Sequence, residues 1–341
     1  MKSLDDRFSG IVGQQKAKRK LKFHLENFDA TKILPHMMFI APKGCGKTTL
    51  AKAVGRNLMS TEPTTKTIID GFGDKTLIEI PAGVAPKRFL EVNCSSIKSV
   101  PQFVEGLLRD SILNKEVTVL FDEASELPKD VTMFLLSVLN PNIHNFNSVP
   151  YGDGVFDFDF RKQTFMFATT EAHKIFHALI DRCDRIDMEE YSLEELGIIV
   201  QQNLANDKRK ASPEILKEVS SILRGNARSA QKMANNIKNY LARAQKEELK
   251  ADDWKLLKHN LGIMPLGLND IEIQIMKALR ERKTCSLTNL AAKVGLTTEC
   301  IRRDFEMYLQ KQDLMTIATG GRALSQRGHE YLKFNVDRTN K

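Results

Sequence analysis

The stretch MMFIAPKGCGKTTLAKAVGRNL, residues 37–58, decides the fold. A short apolar run leads into a glycine-rich loop, and the loop leads into a helical pattern. In this order the loop amides surround a phosphate at a helix N-terminus, the lysine reaches the terminal phosphates, and the following hydroxyl binds magnesium. We therefore predict that Lys47 contacts phosphate and Thr48 contacts Mg²⁺. The predicted phosphate site consists of Gly44, Cys45, Gly46, Lys47, Thr48 and Thr49.

Four more strand-like apolar runs follow, separated by helix-length segments. They are RFLEVN at 88–93, VTVLFD at 117–122, TFMFAT at 164–169 and RIDM at 185–188. Continuous apolar runs in this alternation are typical of a parallel sheet that is covered by helices on both faces. The sequence predicts an α/β fold whose first domain, residues 1–190, is a P-loop nucleotide-binding sheet.

Two adjacent carboxylates end the run VTVLFDE. Asp122 is placed to hold magnesium through water, and Glu123 to polarise an attacking water as a general base. Thr170 ends a neighbouring predicted strand, where its hydroxyl would sense the terminal phosphate. Because threonine is also a common strand residue, a purely structural role for it stays open.

Three arginines are candidate contacts to the phosphates. Arg182 and Arg185 lie in ALIDRCDRID, and either could reach the nucleotide of a neighbouring subunit or form a surface ion pair. Arg228, in RGNARSAQK, begins a predicted helix from which it would contact phosphate in the same subunit.

Two further domains are predicted after the sheet. Residues 191–260 show helical periodicity, with Ser212 and Pro213 as a helix start. Residues 265–335 read as helix, helix-turn-helix and hairpin, the order of a winged helix. Such a module binds DNA through phosphate contacts, or it docks a protein. The predicted DNA contacts are Arg302, Arg303 and Arg322.

Composition excludes several classes of protein. The 341 residues are 42% hydrophobic and 28% charged, which is ordinary for globular domains, and the net charge of +8 favours a polyanionic partner. The sequence has no apolar run long enough for a membrane span and no signal-peptide pattern, so we expect a cytoplasmic protein. The five scattered cysteines include no CxxC pair, which argues against a zinc site or a disulfide framework.

The order GQQKAK, APKGCGKTT, VTVLFDEA, FATT, DRCDR, RGNAR and winged helix resembles the AAA+ ATPases and, within them, the bacterial Holliday junction branch-migration motors of the RuvB family. The resemblance covers nearly the whole chain. It implies a hexameric ring that hydrolyses ATP with Mg²⁺ at subunit interfaces and works on DNA without sequence specificity. It also implies that Val12 joins the nucleotide site and that Arg182 acts in trans. The residues that it implies to act in cis are Lys47, Thr48, Asp122, Glu123, Thr170 and Arg228.

The resemblance also implies a partner for the predicted hairpin at 147–163. In the family such a hairpin docks the junction-binding protein RuvA, and here its far arm alternates phenylalanine with aspartate. Tyr151, Phe156 and Phe158 are the predicted docking residues. Packing of these rings on their own sheet is the alternative.

Departures from the family pattern leave a second function open. Ile180 and Glu171 stand where basic residues are usual, Gly320 replaces an arginine of the wing tip, and residues 60–87 form an extra segment, predicted to be a hairpin turned at 71–74. A clamp loader or helicase loader would share every ATPase element. The tail sequence favours the branch-migration motor.

Overall fold

The structure, a computed structural model, describes residues 7–69 and 75–337. Its first part contains the helices α1 (Gln15–Thr31), α2 (Lys47–Gly55), α3 (Val100–Phe103, continued as a π-helix over Val104–Ile112), α4 (Lys129–Val138) and α5 (His177–Ile180), and the strands β1 (Met37–Ile40), β2 (Thr64–Ile69), β3 (Lys75–Ile80), β4 (Arg88–Asn93), β5 (Val117–Asp122), β6 (Phe146–Tyr151), β7 (Gly154–Asp159), β8 (Gln163–Thr169) and β9 (Asp184–Asp187).

Five of these strands form one parallel sheet in the order β4-β5-β8-β1-β9. The predicted strands all lie in it. The central strands β5, β8 and β1 are apolar and buried on both faces, whereas the edge strands β4 and β9 are partly exposed. One face packs against α1 and α2 through Leu21, Leu25 and Leu50. The other packs against α3 and α4 through Phe103 and Leu135. The prediction of a parallel sheet with helices on both faces is confirmed.

Two hairpins stand apart from this sheet. β2 and β3 pair antiparallel within the extra segment, and its predicted turn at 71–74 lies outside the described residues. The carboxylate of Glu116 anchors the start of the segment by accepting hydrogen bonds from the amides of Thr61 and Glu62 at 2.9 and 3.2 Å. β6 and β7 pair antiparallel about the turn at Gly152, as predicted.

The rest of the chain is mainly helical. It contains α6 (Leu193–Ala205), α7 (Pro213–Ser221), α8 (Ala227–Arg243), α9 (Ala251–Asn260), α10 (Asp270–Arg280), α11 (Leu287–Val294), α12 (Thr298–Cys300, continued as a π-helix over Ile301–Glu306), α13 (Met307–Lys311) and α14 (Gln326–Asn335), with the two-residue strands β10 (Lys210–Ala211) and β11 (Glu248–Leu249) and the wing strands β12 (Met315–Ala318) and β13 (Gly321–Leu324).

The winged helix forms for the reasons that its sequence suggests. Ser286 caps α11 by accepting from the Asn289 amide, and Gly295 ends the helix at φ 70°, in the left-handed region. Ile301 and Leu309 are fully buried in the core of this module, as their four-residue spacing predicts. The final helix α14 was not predicted. It is capped by Ser325 and buries Tyr331 and Leu332.

Contacts divide the chain into two compact units. One comprises the chain up to Glu195 together with Gly225–Arg228, and the other comprises Leu196–Arg224 and the chain from Ser229 onward. The predicted helical domain and the predicted winged helix thus fall into one unit. Among the described residues, no helix is long and apolar enough to cross a bilayer.

Candidate functional site

The phosphate loop joins β1 to α2 at the carboxyl edge of the sheet. Gly44 and Gly46 have φ values of +82° and +87°, which glycine adopts without the steric cost that a side chain brings. Lys47 is the first residue of α2, so the loop amides and the positive end of the helix dipole face the same space. The predicted loop geometry is present. Cys45 is buried beneath the loop, and Thr49 lies exposed on the first turn of α2.

Lys47 is buried and folds back over this loop. Its ammonium donates to the carbonyls of Ala41 at 2.9 Å and Pro42 at 3.3 Å. Burial lowers the pKa of Lys47, and the nearby carboxylate of Asp122 works in the opposite direction. A bound anionic phosphate would stabilise the charged form of Lys47 further. The loop therefore presents a cation whose charged form a polyphosphate ligand would favour.

The two predicted magnesium contacts lie together. Thr48 Oγ1 donates to Asp122 Oδ2 at 3.1 Å, which joins the start of α2 to the end of β5. The amide of Glu123 donates to the other Asp122 oxygen at 3.0 Å. A hydroxyl and a carboxylate at this separation form an oxygen donor set of the kind that Mg²⁺ prefers, so these residues fit the ion.

Glu123 stands at the open side of this pair. Its backbone is left-handed, with φ 56° and ψ 48°, and its side chain is exposed. This strained conformation turns the carboxylate out of the strand and away from the sheet core. The geometry leaves Glu123 accessible to water, as a general base requires.

The two threonines at the end of β8 differ in their surroundings. Thr169 is buried, its carbonyl accepts from the Ala41 amide at 3.3 Å, and its hydroxyl accepts from the Glu171 amide at 2.9 Å. Thr170 is exposed, one residue past the strand, at the same edge as the phosphate loop. Of the two, Thr170 is therefore the residue whose hydroxyl is open to a ligand.

The segment Gly225–Arg228 touches the phosphate loop from the far part of the sequence. The Ala227 amide donates to the Gly44 carbonyl at 3.0 Å, and Asn226 Nδ2 donates to the Lys43 carbonyl at 3.2 Å. Arg228, the second residue of α8, is exposed and close enough that its charge lowers the pKa of Lys47. Sequence reasoning found Arg228 but missed Asn226, although both belong to the RGNAR motif.

Tyr191 is a second residue that sequence reasoning missed. A side-chain carbon on Gly46 would lie 2.8 Å from the Tyr191 hydroxyl, so the phenol packs directly on the loop. Its amide donates to the Gly225 carbonyl at 3.2 Å, and burial raises the pKa of its hydroxyl. No spacing or motif marks this tyrosine. Val12 is half-buried ahead of α1, and its nucleotide contact stays a prediction.

Arg182 lies at the amino ends of the strands, opposite to the phosphate loop at their carboxyl ends. It precedes β9, whose first residue, Asp184, pairs with the first residue of β1, Met37, whereas Lys47 follows the last residue of β1. Four residues of strand at about 3.3 Å each separate the two edges by roughly 13 Å. Arg182 Nη1 donates to the Ala178 carbonyl at 2.9 Å, and Nε is buried without a hydrogen-bond partner among the described residues. The strand direction therefore keeps Arg182 away from the phosphate loop of its own chain.

The predicted DNA contacts divide into exposed and buried arginines. Arg302 and Arg303 are both exposed at the start of the third helix of the winged module, and Arg303 pairs with Asp304 at 3.0 Å. Arg322 is different. Its side chain is 15% exposed and donates to both carboxylate oxygens of Glu306 at 2.9 and 3.2 Å. This ion pair holds Arg322 within the module and leaves it less accessible than Arg302 and Arg303, and its contact with DNA stays a prediction.

The hairpin β6–β7 also requires a correction. Phe158 is fully buried, packs in the core beside Phe165, and is not part of an exposed docking face. Phe156 and Tyr151 are half-buried and stack on each other at 6.0 Å between ring centroids. The exposed apolar side chain of β7 is Val155, at 62%. The alternative of packing on the protein's own core is therefore correct for Phe158.

Comparison with known families is consistent with this geometry. The profile of the ATPase family associated with various cellular activities (AAA) matches residues 37–191. The profile of the RuvB C-terminal winged helix domain matches residues 265–333. The two matched ranges contain the phosphate loop and the exposed arginines of the winged helix, respectively.

Individual relatives span almost the whole chain. The chain is 24% identical to the Holliday junction branch migration complex subunit RuvB of Mycoplasmopsis pulmonis, covering 96% of both sequences. It is 24% identical to RuvB of Wolinella succinogenes, covering 94% of this chain and 88% of the relative. The solved structure of the Thermotoga maritima RuvB Holliday junction branch migration motor has the same fold, with a TM-score of 0.71 at 20% identity over 98% of both chains. The chain therefore contains an AAA domain and a RuvB-type C-terminal winged helix domain, and over almost its whole length it resembles the branch-migration motor RuvB.

Proposed function

We propose that this protein is an ATP-driven DNA motor subunit that promotes branch migration of Holliday junctions in recombination and repair, and that it acts in the cytoplasm. The observation that carries the proposal is the combination, in one chain, of an AAA domain whose phosphate loop adjoins the Thr48–Asp122 pair with a RuvB-type winged helix whose Arg302 and Arg303 are exposed. The domain division that we propose is residues 1–190 for the ATPase, 191–260 for the helical lid and 265–335 for the winged helix.

Within one subunit the residues divide the work on ATP. Lys47 and Arg228 neutralise the charge of the phosphate oxygens, and the loop amides orient the phosphates. Thr48 and Asp122 are the residues that would hold Mg²⁺. When bound, that ion neutralises charge on the transferring phosphoryl group. Glu123 takes the proton of the attacking water, and Thr170 orients the terminal phosphate.

A second subunit completes the site. Because Arg182 lies at the amino ends of the strands, away from its own phosphate loop, we propose that it reaches the nucleotide of a neighbour in the hexameric ring that the sequence resemblance implies. Its removal would then slow turnover by about 10³ to 10⁵, the effect typical of an arginine supplied in trans. Mixing Arg182→Ala with Lys47→Ala subunits should restore part of the activity. In a mixed ring, some interfaces combine the intact Lys47 of an Arg182→Ala subunit with the intact Arg182 of a Lys47→Ala subunit.

DNA contacts are proposed to be few in each subunit. Arg302 and Arg303 would bind phosphates, so binding should be independent of sequence, should weaken steeply with salt, and should depend on several subunits acting together. A RuvA-like protein is the proposed partner of the β6–β7 hairpin. In place of Phe158, the exposed Val155 would contact it from one face of β7, and the half-buried Tyr151 and Phe156 from the edge of the other face.

ATP turnover tests the proposal most directly. Purified protein and a Glu123→Gln variant would be compared alone and with single-stranded, duplex and four-way-junction DNA, followed by a branch-migration assay. Stimulation by duplex or branched DNA, together with strand exchange, would support the motor. If only a ring-shaped protein raises turnover, the protein acts as a loader and the proposal fails.

A further inference from the structure

Arg224 occupies an unusual position in the second unit. Its backbone is left-handed, with φ 56°, and its guanidinium donates to both carboxylate oxygens of Glu272 at 2.8 and 2.7 Å. Glu272 is fully buried in the first turn of α10, so Arg224 is the cation that compensates its charge. The same guanidinium stacks on the ring of Tyr308, 4.0 Å from the centroid. Arg224, which lies between α7 and α8, thus joins the helical lid to the winged helix.

The linker between lid and winged helix is fixed around this pair. Arg224 also donates to the Gly267 carbonyl, the Tyr308 hydroxyl donates to the Leu266 carbonyl at 2.6 Å, and the Tyr331 hydroxyl donates to the Pro265 carbonyl at 2.7 Å. Gly267 has φ +65°, and a side-chain carbon there would lie 2.3 Å from the Ile222 carbonyl oxygen. These contacts leave the linker little freedom to bend.

Glu272 has two tasks in this arrangement. Its Oε2 also accepts from the Asn269 amide at 2.9 Å, while the Asn269 side chain accepts from the Glu272 amide at 2.9 Å. This reciprocal pair is the capping box that begins α10. A displacement of Arg224 would therefore disturb the start of the first helix of the winged module as well as the ion pair.

The residue after Arg224 belongs to the nucleotide site. The chain passes from the second unit to the first between Arg224 and Gly225, and Gly225 has φ +70°. The next residues, Asn226 and Ala227, donate to the carbonyls of the phosphate loop, at Lys43 and Gly44. One peptide bond thus links a segment held by the phosphate loop to a residue held by the winged helix.

We infer that Arg224 is a positioning residue that passes nucleotide-dependent movement of Gly225–Arg228 to the winged helix by way of Glu272. α8 begins in that segment and continues through the lid, so the lid follows it through the helix itself. The ion pair, the stacked tyrosine and the hydrogen bond to the Gly267 carbonyl are contacts by which the Arg224 side chain holds the winged helix to the same movement. The inference rests on the proposed function in taking the nucleotide to be ATP.

Hydrogen exchange on the full-length protein tests the inference without DNA. In a Glu123→Gln background, the change from ADP to ATP should alter amide exchange in residues 266–275 and 305–310 by about 5-fold or more, the lower range of typical couplings between sites. Arg224→Lys keeps the charge but loses the two-pronged contact. It should confine the nucleotide-dependent change to the phosphate loop and residues 225–228, with ATP affinity kept within about threefold.

Two further variants make the result decisive. Lys246→Gln breaks another pair with a buried carboxylate of the same unit, Lys246–Asp253 at 2.6 Å, and should leave the response intact. Glu272→Gln, which keeps the shape of the side chain, should reproduce the effect of Arg224→Lys if that variant does not fold. The double variant should add nothing to either single one.

The outcomes separate this inference from the proposed function. An unchanged winged-helix response in folded Arg224→Lys or Glu272→Gln, or no response to nucleotide in the parent, would overturn the coupling role of Arg224. If the parent shows the response but neither binds DNA nor moves junctions, the coupling stands and the motor proposal fails. A KM effect on ATP hydrolysis without loss of the exchange response would mean that Arg224 only shapes the nucleotide site.

Discussion

Substitution of Gly44 by alanine gives a quantitative test of the site geometry. With φ at +82°, a side chain at this position costs roughly 1–2 kcal/mol. Its first carbon would lie 2.1 Å from Asn226 Oδ1, so the amide must move and lose its hydrogen bond to the Lys43 carbonyl, roughly 0.5–1.5 kcal/mol. The two costs together are roughly 1.5–3.5 kcal/mol. The loop avoids them by leaving this geometry, which ATP binding must then restore, so ATP should bind about 12- to 300-fold more weakly.

The two costs can be separated by a double-mutant cycle. Asn226→Ala removes the clashing oxygen, so in that background Gly44→Ala should cost only the backbone part, roughly 1–2 kcal/mol. Affinity would be measured by titration with a fluorescent ATP analogue. Gly106→Ala is the matched control, because nothing lies within 4 Å of its added carbon and its φ is not positive. An equal loss of affinity in both backgrounds would refute the close approach of Asn226 to the loop.

Three other perturbations test the placement of single residues. Phe158→Asp should cost more than about 4 kcal/mol in chemical unfolding, whereas Val155→Asp on the same strand should cost less than about 0.5 kcal/mol; equal effects would contradict the corrected hairpin. Arg302→Ala should reduce the salt dependence of duplex binding by about one unit of slope, while Arg322→Ala should instead lower stability by about 3–5 kcal/mol, as calorimetry would detect. Burial lowers the pKa of His36 from 6.5 to about 4, so the neutral form is favoured by folding. Stability should fall by roughly 3 kcal/mol as pH drops from 6.5 to 4, and His36→Phe should flatten that profile.

The sheet and the phosphate loop could be predicted because their signals are local. A buried parallel strand such as Val117–Asp122 is apolar on both faces, and a glycine-rich loop between strand and helix has few alternative conformations. α14 was missed because its sequence, QRGHEYLKFN, is mostly polar and contains Gly328. Its cap at Ser325 was a usable signal, but only two of its side chains, Tyr331 and Leu332, reach the core.

Burial of single side chains could not be predicted in the same way. The alternation of Phe156 and Phe158 with aspartate places both rings on the same face of β7, but it does not show whether that face meets the core. Similarly, Arg322 in the wing pairs with Glu306 of the preceding helix, a contact between segments that sequence spacing does not encode. In both cases the decisive neighbour is distant in the chain.

Strand direction explains why we assign Arg182 to the site of a neighbouring subunit and Arg228 to the site of its own subunit. A motif gives the type of residue but not the edge of the sheet at which it lies. Because β1 and β9 run parallel and pair from their first residues, Arg182 lies at the amino ends of these strands and Lys47 lies beyond the carboxyl end of β1. Arg228 reaches the carboxyl edge only because Asn226 and Ala227 bind the loop there. The proposal that Arg182 serves a neighbouring subunit thus follows from the polarity of the sheet, and it requires that each complete site be shared by two copies of the chain.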